Sequence, residues 1–187
     1  MASAKRDHLI DTALRLFGRD GYHAVGIDRV IAEAGVARMT LYNHFKSKDE
    51  LILAVLHRRD ERFRNWFMRL TERAAPDAKG RMLATFDALD EWFASDDFTG
   101  CMFINAAAEY ADPDDPIHRA AREHKNLLVD YFRNLASKAG AADPEALADG
   151  LVLLSEGAIV MAHVAGRKDA ARKAKIAAEA LIRDAGL

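Results

Sequence analysis

A single cysteine, Cys101, among 187 residues leaves no partner within the chain for a disulfide and excludes a cysteine-only metal cluster. Four prolines and eleven glycines are too few for the closely spaced turns of a sandwich or barrel. The seven histidines form no metal motif, since no two stand three or four apart on one helical stretch and His118 and His124 are six apart. A strand-turn-helix nucleophile elbow is also missing, so no catalytic constellation and no enzyme are expected. No run of about 18 apolar residues is uninterrupted, and the start MASAKRDHLI lacks an apolar core before a small-residue cleavage site. These absences predict a cytoplasmic protein with no membrane partner, cofactor or metal. A net charge of −2 excludes a uniformly basic nucleic-acid coat. It leaves room for a local basic face, because screening over about 8–10 Å lets patches act separately.

What is present is helical patterning in a chain that is 50% hydrophobic, which predicts an all-α fold. Ile10, Ala13, Leu14 and Phe17 make a first stripe that stops near Gly18 to Gly21, and Ile27, Val30, Ile31 and Ala34 make a second that stops at Gly35. The connection Gly35-Val36-Ala37 then leads to Leu41 and Phe45, four apart and inward-facing. Ser47-Lys48-Asp49-Glu50 matches an S-x-x-E capping box opening a long helix over 47–72, with Leu51, Val55, Phe63, Trp66, Phe67 and Leu70 on its buried side. Asp115-Pro116 and Asp143-Pro144 mark helix starts, Gly140 and Gly166 mark stops, and the rest divides into helices near 77–94, 98–110, 116–138, 144–165 and 168–184. The expected organisation is a helix-turn-helix domain over 1–47 and a helical regulatory and dimerisation domain over 48–187.

With Leu41 and Phe45 inward, Arg38, Met39, Tyr42, Asn43 and Lys46 share the outer face, where a solvated surface does not ordinarily carry a methionine and a tyrosine. Arg38 suits guanine or phosphate, Asn43 suits adenine and Met39 a thymine methyl, while Thr40, Tyr42, His44, Lys46 and Lys48 suit phosphates. Over residues 27–48, Arg29, Arg38, Lys46 and Lys48 oppose Asp28 and Glu33, so the local balance is positive while the whole chain is negative. By pattern alone, two short helices around a glycine are equally a simple helical corner. The residues themselves go further: AGVARMTLYNHFKSKDEL closely resembles the signature of TetR-family transcriptional regulators. The resemblance implies a three-helix DNA-binding head followed by a variable helical domain, with Arg38, Met39, Tyr42, Asn43 and His44 on the recognition helix and Lys48 just beyond it. Val25-Gly26 departs from the threonine or serine that many members carry before the second helix, which leaves phosphate binding there to free amides.

Farther on, Leu147, Leu151, Leu154, Ala158 and Met161 form a seam, followed by Ala171, Ala174, Ala178 and Leu181. The resemblance implies that these two helices pair with their copies in a homodimer; the seam by itself equally fits packing within one chain. Such a dimer would set two recognition helices about 34 Å apart on a palindromic double-stranded operator. Met82, Phe86, Leu89 and Phe93, then Met102, Phe103 and Tyr110, then Leu127, Leu128, Tyr131 and Leu135, are core faces or the walls of an apolar pocket. In the pocket reading Phe86, Phe93, Met102 and Tyr131 meet a small apolar or aromatic effector, oriented by Asn105, Glu109, His124 or Glu156. Cys101 fits a thiol sensor or, more ordinarily, a small buried hydrophobe. The implied activity is repression relieved by the ligand, with helix 47–72 as the lever. A DNA-binding protein without effector, acting through a protein partner, is the alternative; an enzyme or lipid carrier with an incidental helical head finds no supporting residues.

Overall fold

The spacing of three and four is realised as nine α-helices among residues 2–187, which the structure, a computed structural model, describes; Met1 lies outside them. They are α1 (Ala2–Asp20), α2 (Ile27–Ala34), α3 (Arg38–Tyr42), α4 (Lys48–Ala74), α5 (Ala78–Ala94), α6 (Met102–Glu109), α7 (Pro116–Ala139), α8 (Pro144–Val164) and α9 (Ala170–Asp184). The expected starts hold at the caps, where Asp115 accepts from the Ile117 amide at 2.7 Å and Asp143 from the Ala146 amide; Asp77, not singled out beforehand, likewise accepts from the Gly80 amide. At Ser47 the hydroxyl accepts from the Glu50 amide at 3.1 Å, while Glu50 reaches back to the Lys46 amide at 2.7 Å, one residue earlier than a reciprocal capping box. α6 begins at Met102 and not near 98, because Gly100 sits at φ 81° and breaks the helical path.

The chain forms two compact units, residues 1–62 with 102–124, and residues 63–101 with 125–187. The expected division after residue 47 is therefore displaced into α4, and α6 joins the head. The reason lies in long-range bonds of the first unit. Glu109 of α6 accepts the Tyr22 amide at 2.8 Å and the His23 amide at 2.5 Å. Arg58 of α4 reaches Asp11 of α1 at 3.4 Å. Around Leu9, Ile10, Phe17, Tyr22, Val30, Leu41, Phe45, Leu51 and Ile52 this unit encloses its own core.

In the second unit α8 packs on α9, and both pack on α5. Phe63 and Phe67 stack at 5.6 Å, and Trp92 meets the edge of Phe98 at 5.0 Å. α8 is long and apolar enough, by length and composition, to cross a membrane, with a mean hydropathy of 1.5 over its most apolar window, of which 39% is buried.

Candidate nucleic-acid interface

The candidate face is built by α1, α2 and α3, which pack against one another. α2 starts after Gly26, whose extended backbone (φ −80°, ψ 160°) brings no side chain to cap the first amides. It ends at Gly35 (φ 62°), a left-handed residue that turns the chain toward α3. Leu41 and Phe45 are fully buried, as their spacing requires, and hold the short α3 against the core. Arg38, Met39, Tyr42, Asn43 and Lys46 are all exposed, Met39 at 68% and Tyr42 at 43%; Thr40, His44 and Lys48 are half-buried.

α3 is shorter than the resemblance implies. It closes at Tyr42, and the chain then tightens, with the His44 and Phe45 amides both bonded to the Leu41 carbonyl at 2.9 Å. The tightening swings Phe45 into the core, so Asn43 and His44 sit on the closing turn and Lys46 in the corner before α4. Three of the four cations counted over residues 27–48 have partners within the chain: Arg29 binds Asp20 at 2.7 Å, Arg38 pairs with Asp28, and Lys48 donates to the His23 carbonyl at 3.4 Å. The positive balance counted from sequence is thus partly neutralised. Arg6 of α1, which no apolar spacing singled out, places its guanidinium over the Phe45 ring at 5.1 Å and adds a cation near this corner.

The connection from α1 to α2 is clamped by Glu109. Besides the two amides, its carboxylate meets His23 Nδ1 at 2.8 Å. Burial opposes its charge, but the Tyr22 and His23 amides and the His23 ring outweigh burial and hold the group below the usual 4.5. Beside it Tyr110 packs on the His23 ring at 4.7 Å, and burial, with Asp49, Glu109 and Asp115 nearby, pushes its phenol up to about 12.

The eight residues expected around an effector divide between the units, Met102, Asn105, Glu109 and His124 in one and Phe86, Phe93, Tyr131 and Glu156 in the other. Phe86 and Phe93 are wholly buried. The polar members mostly bind other protein groups: Glu109 the amides above, His124 the Asp60 carboxylate at 2.7 Å, Tyr131 the Thr71 hydroxyl at 2.7 Å, Glu156 the Lys125 ammonium at 2.6 Å. Asn105 is half-buried, Met102 is buried, and Cys101, also buried, accepts from Lys125 at 3.4 Å.

The expected dimer seam is corrected in part. Leu147, Leu151, Ala171 and Ala178 are buried in the chain's own packing of α8 on α5 and α9. Because α8 is apolar nearly all round, its spacing could not distinguish the inward face from the outward one. Leu154, Ala158, Met161 and Ala174 line a groove of about 360 Å³ on α8 and α9, and Leu181 is partly exposed. Also exposed on α8 and α9, and not singled out by spacing, are Leu153 and Val164, 73% and 78% exposed, with Val160 and Ile176. No three of His, Cys, Asp or Glu gather as metal ligands among the described residues.

A two-helix corner with an exposed face on its second helix, in a chain whose second unit is also all helical, fits the class of helix-turn-helix DNA-binding regulators. Residues 9–55 match the model for bacterial regulatory proteins of the tetR family, and residues 78–178 match that for the tetracyclin repressor-like C-terminal domain. The chain belongs to the TetR family of transcriptional regulators, which are DNA-binding transcription factors and not enzymes. A TetR-family regulator from Streptomyces coelicolor is 36% identical and superimposes with a TM-score of 0.91, covering 99% of this chain and 97% of that one. The transcriptional regulator AcuR of Cereibacter sphaeroides is 29% identical over 90% of this chain and 80% of its own. The HTH-type transcriptional regulator YjdC of Escherichia coli is 24% identical over 83% and 81%.

Proposed function

We propose that this regulator acts in the cytoplasm as a homodimer that occupies a palindromic operator and represses transcription until a small apolar or aromatic ligand releases it. The observation that carries the reading is the outward face of Arg38, Met39, Tyr42, Asn43 and Lys46, two of whose members are apolar or aromatic and exposed. Arg38 and Asn43 offer the two-pronged donors and acceptors that read guanine and adenine, Met39 meets thymine, and Thr40, Tyr42, His44, Lys46 and Lys48 bind phosphate. The exposed apolar ridge of Leu153, Val160, Val164 and Ile176 supports dimerisation, since burying it against a second copy removes it from water. Ligand release requires different affinity for two arrangements of the dimer.

One observation favours a regulator without an effector, acting through a protein partner: Glu109, His124, Tyr131 and Glu156 all bind other protein groups, leaving fewer polar anchors for a ligand. A metabolite at 100 times its Kd raises stability by about 2.7 kcal/mol, so a thermal-shift screen separates the two readings.

The DNA-binding reading is tested by retardation of an operator duplex. Arg38→Ala and Tyr42→Ala abolish the specific shift while sedimentation remains that of wild type; unchanged retardation contradicts the reading.

A further inference from the structure

Asp28 is an acid on a face that would otherwise favour polyanions. It stands second in α2, its side chain is 76% exposed, and it pairs with Arg38, the first residue of α3, itself 59% exposed. A carboxylate near a helix N-terminus is stabilised by the free amides there. That local benefit does not need the pairing with a residue ten positions away. At a DNA-facing surface the negative charge works against phosphate binding, so it weakens affinity for all sequences alike.

The pairing does have a consequence for Arg38. A guanidinium carries five N–H donors in a rigid plane, and it binds guanine through two of them, to O6 and N7. A free arginine on a flexible stem reaches a phosphate as readily as a base. Here Asp28 Oδ1 meets the guanidinium at Nη2 alone, which biases the orientation of the group, leaves its other N–H donors for a base, and sets it beside an anion that disfavours a phosphate in the same place.

We propose that Asp28 is a positioning residue that sets base specificity: it orients the Arg38 guanidinium so that its free N–H donors meet one guanine of each half-site. The inference rests on the reading that residues 38–48 face DNA.

The test is selection of bound sequences from a randomised duplex pool by the full-length protein, followed by affinity measurements on the enriched site and on each single-base change. Wild type enriches one G·C pair that Arg38→Ala no longer prefers. Asp28→Ala loses that same preference, by roughly 5- to 150-fold, keeps the preferences at other positions, and binds unselected DNA more tightly. In the Arg38→Ala background Asp28→Ala changes no base preference, as a coupled pair requires. Asp28→Ser repeats the measurement with a residue suited to a helix start if the alanine variant melts early. The proposal is overturned if Asp28→Ala raises affinity for every sequence by one factor and leaves the G·C preference intact. A wild-type protein that enriches no sequence overturns it together with the DNA-facing reading beneath it, and that result is distinct from the first.

Discussion

Glu109 illustrates how a residue's partners decide its role. Its position among apolar neighbours on a predicted pocket wall suggested a ligand anchor, yet its carboxylate accepts two backbone amides 87 and 86 residues away. Nothing local in the sequence marks such a pairing. Hydrogen bonds to a charged group contribute on the order of 1.5–3 kcal/mol, so Glu109→Gln lowers stability by about that much in urea melts at neutral pH. Because the folded group titrates below its ordinary 4.5, its contribution is complete above that value and fades as pH falls through the lower folded value. The gap between wild type and Glu109→Gln therefore narrows in acid melts; a gap that widens contradicts the clamp. Gly100 is equally decided by its surroundings, with φ 81° and a position where an added Cβ would lie 2.4 Å from His163 Nδ1. Gly100→Ala costs roughly 1–2 kcal/mol for the left-handed backbone alone, and more from the clash. His163→Ala restores the clash portion and leaves the backbone portion, which a double-mutant cycle in urea measures.

Among the elements, those with strong punctuation were legible in advance. Asp143 before Pro144, Ser47 three before Glu50 and Gly35 at a corner act through neighbours within four residues, and the helices begin and end where those residues stand. The limits of α3 and α6 differ from those expected because tertiary packing sets them, through the burial of Phe45 in the core and the left-handed Gly100 lying against His163. α8 was legible as a helix but not as to its faces, being apolar on most of its circumference. The structure separates them: Leu151 is fully buried, and Leu153 projects from the chain. Leu151→Glu leaves an uncompensated buried charge and destabilises the fold by on the order of 3–5 kcal/mol. Leu153→Glu leaves the melting of the monomer fold almost unchanged and shifts sedimentation toward the monomer. Equal oligomeric state in wild type and Leu153→Glu would count against this ridge as the dimer contact.

For the whole molecule, the all-α architecture was readable from helical spacing along the chain and the family from the run Ala34 to Leu51, because a two-helix corner and the next cap lie within one short segment. The boundary between units was not, since it is drawn by α6 returning to the head through Glu109. The dimeric DNA-binding account joins the outward face of α3 to the apolar ridge of α8 and α9. Hydroxyl-radical footprinting of the full-length protein on the DNA flanking its own gene tests it most directly. Two symmetric protected half-sites, with centres about 34 Å apart or a multiple of that, and their joint loss in Tyr42→Ala, are the result expected. A single unpaired footprint, or protection that Tyr42→Ala leaves untouched, would contradict it.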